Sequence, residues 1–134
     1  RKREKNSMEK LDQKVCLDTD VVISILKGDD RFHYLLDKSL GNEVFVSVIT
    51  LFELFLRDTN LRDIEEFRKR VEILNFDESA SRKASAIYKS LKKKGMLVGT
   101  SDIFIAAICI ENNCRLITFN KKDFENINEL KLVS

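Results

Sequence analysis

Residues 15–26 read Val-Cys-Leu-Asp-Thr-Asp-Val-Val-Ile-Ser-Ile-Leu, and a change of rhythm inside them decides the fold. Val15-Cys16-Leu17 is a short apolar run of strand type that ends abruptly in Asp18-Thr19-Asp20. Beyond it, Val21, Val22, Ile25 and Leu26 recur at helical spacing up to Gly28. The pattern is strand, acidic turn, helix.

The alternation repeats downstream. Residues 30–40 carry Phe32, Leu35, Leu36 and Leu40 as a helical stripe, closed by Gly41-Asn42 in the manner of a C-terminal cap. Residues 43–48 are β-branched and aromatic and read as a strand. They run into residues 49–57, which are apolar nearly all round and so predict a buried helix. Leu61, Ile64, Phe67, Val71 and Leu74, then Ala80, Ala84, Ile87, Tyr88 and Leu91, predict two amphipathic helices around a short strand at 73–76. Their apolar stripes suit packing on each other or receiving a partner helix. Thr100 or Ser101 is expected to cap a helix whose body is 103–110, and 115–119 and 130–133 are the last expected strands. Strands separated by helices imply parallel pairing, hence an α/β domain with a mostly parallel sheet of four to five strands flanked by helices. In such sheets ligands sit outside the carboxyl ends of the strands.

Composition bounds the rest. The chain has 134 residues, 43% of them hydrophobic, with 24 Lys+Arg, 22 Asp+Glu, one His, three Cys and no Pro. That suffices for one domain with one respectable core. The longest apolar run, 103–110, is far below the roughly 18 to 20 residues of a membrane span. No secretory leader pattern opens the chain, and Cys16, Cys109 and Cys114 are odd in number without metal-type spacing. A reduced, cytoplasmic setting with cysteines as packing residues is expected. Residues 1–10 hold five bases and two acids, whereas the other 124 are net −1, so residues 1–12 read as a basic, flexible tail and 13–134 as the domain.

Four acids stand where chemistry belongs. Asp18 ends the first strand, where it reads equally as a catalytic carboxylate or a helix N-cap. Asp20, in a first helical turn, reads mainly as a macrodipole-favoured acid. Glu53 is the one charge in an otherwise apolar stretch, 48–56. An i,i+4 pair with Arg57 contributes only about 0.2 to 0.5 kcal/mol, too little to offset burial, so a shared polar site is favoured. Asp102 precedes the most apolar helix of the chain. Asp18, Glu53 and Asp102 each lie at a junction leading into a helix, and in a parallel α/β fold such junctions share one sheet edge. Three carboxylates about 4 Å apart repel by about 4 kcal/mol per pair at an effective dielectric near 20, so they call for a cation. Oxygen-only donors favour Mg²⁺ or Mn²⁺ over Zn²⁺. Near the final strand, Asn120 and Asp123 bring an amide and an acid to the same edge, or form an ordinary turn.

The segments 17–22 (LDTDVV), 47–54 (SVITLFEL), 101–107 (SDIFIAA) and 116–124 (LITFNKKDF) together resemble the four signature segments of PIN-domain nucleases, especially VapC-type toxins. The resemblance spans about residues 14–133. It implies a single PIN-like domain and a Mg²⁺- or Mn²⁺-dependent endoribonuclease, with Asp18, Glu53 and Asp102 at the best-defined acidic positions and as metal ligands. Many members have Asp where Asn120 stands, which puts the roles of Asn120 and Asp123 and the number of metals in question. The resemblance also implies an RNA substrate, a cognate antitoxin and a homodimer. Water as nucleophile would leave 5′-phosphate and 3′-hydroxyl ends. A single His, His33, excludes the paired imidazoles of 2′-hydroxyl attack. Lys92, Lys93 and Lys94, and Lys121 with Lys122, are candidate phosphate contacts or simply solvated helix-end lysines. Two rival readings are a PIN-like module that only binds RNA or protein and, from the likeness of 18–22 to a nucleophile motif, a haloacid-dehalogenase-type phosphotransferase.

Overall fold

The computed structural model describes residues 14–133. The expected tail, residues 1–12, lies outside them. The elements are β1 (Lys14–Leu17), α1 (Thr19–Leu26), two 3₁₀ turns (His33–Leu36 and Lys38–Leu40), β2 (Glu43–Ser47), α2 (Val48–Phe55), α3 (Leu61–Arg68), β3 (Glu72–Leu74), α4 (Glu78–Lys93), α5 (Thr100–Glu111), β4 (Arg115–Ile117) and a last 3₁₀ turn (Lys121–Asp123). The four strands form one parallel sheet in the order β3-β2-β1-β4. β1, first in sequence, is thus an inner strand between β2 and β4. The chain leaves it in one direction across the sheet and finally returns on its other side, which makes its carboxyl end a topological switch point.

Side chains alternate across this sheet as the pleat demands. Val15, Leu17, Val44, Val46 and Ile117 face a core shared with Val21, Val22, Ile25, Leu54, Ile64, Phe67 and Val71 of α1 to α3 and the turn after α3. Cys16 and Leu116 face the opposite core, filled by Ala84, Ile87 and Leu91 of α4, by α5, and by Phe124, Ile127 and Leu130. The period-2 rhythm of three short strands therefore sorts the helices into two layers. α5 is buried almost all round, with Ile103 and the run 105–109 shielded from water, as it packs on both α2 and α4.

Four expectations need correction. Residues 30–40 form two 3₁₀ turns instead of a helix, because Ser39 donates both its amide and its hydroxyl to Asp37 Oδ1, at 3.0 and 2.6 Å, and this local bond competes with helical hydrogen bonding. The helix from residue 48 is not buried all round: Phe52, Phe55 and Leu56 are exposed while Thr50 and Leu54 are buried. α5 is capped by Gly99, which offers no side chain, instead of Thr100 or Ser101, both of which lie inside the helix. Residues 130–133 contribute only a single bridge, Leu116 to Leu132, so the sheet has four strands. The stripes of α3 and α4 are core surfaces, with Leu61 and Tyr88 left exposed at their margins.

All three cysteines are buried and free. A hydrogen bond with Cys16, together with burial, pushes the Cys109 thiol up, and burial pushes Cys114 up to about 12, so both are packing groups with little thiolate character. His33 is exposed in its 3₁₀ turn. No described helix is long and apolar enough to cross a membrane.

Candidate active site

β1 hands over to α1 at Asp18, whose extended backbone is that of an N-cap and whose Oδ1 accepts the Thr19 amide at 2.9 Å. Capping is only half of its role. Its other oxygen, Oδ2, accepts the hydroxyl of Thr118 at 2.7 Å, across 100 residues of chain. The Asp18 amide in turn donates to the carbonyl of Ile117 at 2.9 Å, so the ends of β1 and β4 are stitched together at this residue. Asp18 is only 6% exposed. Burial, reinforced by the charges of Asp20 and Asp102, lifts its carboxyl from 3.8 to about 6 against the opposing hydrogen bonds of Thr118 and Thr19.

Glu53 reaches the same edge from α2. The polar partner that its apolar setting calls for is Thr19, whose hydroxyl lies 2.5 Å from Glu53 Oε1. Thr19 Oγ1 also lies 3.0 Å from Thr50 Oγ1, which in turn is 3.4 Å from Ser47 Oγ. A short chain of hydroxyls thus runs from the N-cap of α2 to the carboxylate of Glu53. The alternative ion pair with Arg57 does not form among the described residues.

Asp102 sits in the first turn of α5, half-buried. Desolvation raises its carboxyl, and so do the charges of Asp123, Glu53 and Asp20, in that order. Asp123, exposed in the last 3₁₀ turn, also raises Asp20. Asn120 sits at the same edge: its backbone N–H donates to Thr118 Oγ1 at 3.0 Å, fixing the hydroxyl that serves Asp18.

Asp20 is the residue whose weight the sequence conceals. Its Oδ2 accepts the Phe119 amide at 3.2 Å, and its Oδ1 is buried with no hydrogen-bond partner among the described residues. Burial is the main reason its carboxyl is raised. A first-turn acid that merely complements a helix dipole would point to water. The only sequence signal was its two-residue spacing from Asp18, which is equally common in ordinary helix starts. Lys121 and Lys122 lie exposed in the turn that carries Asp123, whereas Lys92, Lys93 and Lys94 end α4, also exposed.

Five carboxylates, Asp18, Asp20, Glu53, Asp102 and Asp123, therefore influence one another at the carboxyl edge of the sheet. Among the described residues no three His, Cys, Asp or Glu side chains close on a common point as a finished metal cage. The donor chemistry nevertheless fits a hard divalent ion: all ligating atoms are oxygens, one buried oxygen has no partner, and burial and like charge disfavour the ionised state of three of the five acids.

The chain is 36% identical to Ribonuclease VapC1 of Methanocaldococcus jannaschii over 98% of its own length and 93% of that protein's. It is 30% identical to Ribonuclease VapC2 of Rickettsia felis, over 87% and 93%. Among solved structures it resembles a chain of VapBC2 from Rickettsia felis bound to a DNA fragment from their promoter, with a TM-score of 0.79, 25% identity and coverage of 90% and 98%. DNA-bound VapBC from Salmonella typhimurium gives 0.78, 27%, 90% and 97%. The PIN-domain family model matches residues 15–130, nearly the whole described chain, and the protein belongs to the PIN-domain family.

Proposed function

We propose that the protein is a metal-dependent endoribonuclease that hydrolyses RNA phosphodiesters, acting as the toxin of a toxin–antitoxin pair. The observation that carries the reading is the buried, partnerless Oδ1 of Asp20 beside the raised carboxyls of Asp18 and Asp102. Such a grouping is unfavourable in itself and gains its purpose when a cation and a phosphate arrive together. The names of its relatives, ribonucleases of the VapC type, point the same way.

Asp18, Asp20 and Asp102 are the residues that would hold Mg²⁺ or Mn²⁺, with Glu53 direct or through water. When bound, such an ion lowers the pKa of a coordinated water and offsets charge on the scissile phosphate. The chain's own residues then do the positioning. Thr118 and the Thr19 amide hold Asp18 in one rotamer, and the Thr19 hydroxyl holds Glu53. The Phe119 amide holds Oδ2 of Asp20, and the buried Oδ1 is left without a hydrogen-bond partner among the described residues. Water as nucleophile yields 5′-phosphate and 3′-hydroxyl ends. The route through the RNA's own 2′-hydroxyl lacks its usual pair of imidazoles, since the chain has one His. Lys121 and Lys122 stand in the turn next to the acids and are suited to flanking phosphates.

The same reading brings an antitoxin and a second copy of the chain as partners. Phe52, Phe55 and Leu56 on the open side of α2, with Leu61 at the start of α3, form the exposed apolar surface suited to such contacts.

The test is cleavage of single-stranded RNA with Mg²⁺ or Mn²⁺, with end-group analysis of the products. Activity that EDTA and Asp18→Ala each abolish, with 5′-phosphate products, is the expected result. Binding of RNA without cleavage by any divalent ion would favour the binding-only reading instead.

A further inference from the structure

At the rim of the carboxylate edge lies a group of flat side chains, of which Phe32 packs on the core while Phe119 stands outside it. Phe119 follows Thr118, and its backbone amide is tied to Asp20, yet the residue is 43% exposed. The Arg31 guanidinium lies over that ring, 5.0 Å from the centroid, and 5.6 Å from the ring of Phe32. The two rings are 6.0 Å apart and tilted by 44°. Arg31 is fixed in place: its Nε and Nη2 donate to the carboxylate of Asp29 at 2.6 to 3.1 Å, and the Ser24 hydroxyl lies 2.5 Å from the same carboxylate.

Because Asp29 already answers its charge, Arg31 is poorly suited to capture a phosphate, which would also face the acids of the site. What it offers is a rigid planar backing to Phe119. An exposed aromatic ring, supported from behind and anchored by its own backbone to a metal-site carboxylate, has the form of a stacking surface for a nucleobase. Every base has a π-face, so such a surface holds single-stranded RNA without reading its sequence.

We infer that Phe119, backed by Arg31, is the stacking platform for a nucleobase flanking the scissile phosphate and so sets the register of single-stranded RNA on the acidic edge. The inference rests on the ribonuclease reading above and adds to it a positioning residue outside the acidic set.

The test compares Phe119→Leu, which keeps apolar volume but removes the π-face, with Phe119→Trp, which restores it. In steady-state cleavage of single-stranded RNA with Mg²⁺, Phe119→Leu is expected to raise KM about ten-fold and change kcat by less than about two-fold, and Phe119→Trp to recover wild-type KM. The slope of log KM against log salt should not change, since stacking releases no counterions. In parallel, an oligoribonucleotide carrying 2-aminopurine, bound with Ca²⁺ in place of Mg²⁺, should be quenched by the wild type and by Phe119→Trp but not by Phe119→Leu.

If Phe119 only pins the Arg31 loop to the end of β4, Leu preserves that packing, and KM and quenching stay at wild-type values for both variants. That result overturns the inference, as does wild-type protein that leaves 2-aminopurine unquenched. Failure of the wild type to cleave any RNA sinks the ribonuclease reading by itself, and the quenching assay, which needs no turnover, still decides this one.

Discussion

The α4–α5 pair and the carboxylate edge lie in one domain and follow opposite rules. In the first, small residues let two helices approach closely: Ala80 and Ala84 of α4 and Ala106 and Ala107 of α5 are all buried, with Ile87, Leu91, Ile103 and Ile105 filling the space around them. α4 is capped by Asp77, which accepts the Ala80 amide at 2.9 Å, and closes with Lys92 and Lys93 at its negative end. In the second region, a buried carboxylate lies among half-buried ones, and one oxygen goes unpaired among the described residues. The lesson is that the helical pair supplies the stability against which the edge is held in an unfavourable arrangement, as functional sites commonly are.

The contrast can be broken from either side. The largest effect is expected on activity: Asp20→Asn should lower kcat on the order of a hundred-fold or more, close to the effect of Asp102→Asn, measured by RNA cleavage at saturating Mg²⁺. A loss of less than two-fold would return Asp20 to the ordinary role of a first-turn acid. Next is the packed side, where Ile105→Ala should cost about 3 kcal/mol in urea unfolding and leave kcat per folded molecule unchanged. An equal loss of activity would mean that α5 transmits strain to Asp102.

Asp18→Asn should move the two properties apart. Without metal, the folded chain keeps the Asp18 proton up to about pH 6, whereas the unfolded chain releases it near 3.8. Stability from this group therefore falls as pH rises through that window, and above it the ionised group is worth about −3 kcal/mol. In EDTA at pH 7.5, Asp18→Asn should stabilise the protein by about 2 kcal/mol and abolish cleavage, with the gain shrinking toward pH 4. Mg²⁺ should raise the melting temperature of the wild type and not of the variant. A destabilised Asp18→Asn would mean that its hydrogen bonds outweigh desolvation. The smallest effect is at the cap: Asp77→Ala should lower stability by about 1 kcal/mol in the same unfolding assay, with no change in KM.

Much of this was legible in the sequence, and the exceptions have physical causes. Strand and helix order followed from short apolar runs in β1 and β2, which are covered on both faces, and from helical periodicity in α3 and α4, where one face is buried. Residues 30–40 misled because 3₁₀ turns and a helix bury the same spacing, and Asp37 decides between them through a bond to Ser39. Glu53 was legible as a polar site because a lone acid among apolar residues needs a partner. That the partner is Thr19 depends on how α1 meets α2, which no local pattern records. Asp20 and the Phe119–Arg31 stack were illegible for the same reason. Their partners lie some 90 to 100 residues away in the chain and meet them only across the closed sheet.

The bond between Thr118 and Asp18 also bears on synthesis. A ribosome makes the hydroxyl that steadies Asp18 a hundred residues after that acid, so β1 emerges with no β4 beside it. The carboxylates of the edge therefore stay unassembled until β4 has been made. Assembly of the edge thus waits on a long loop closure, the kind of non-local contact that slows folding.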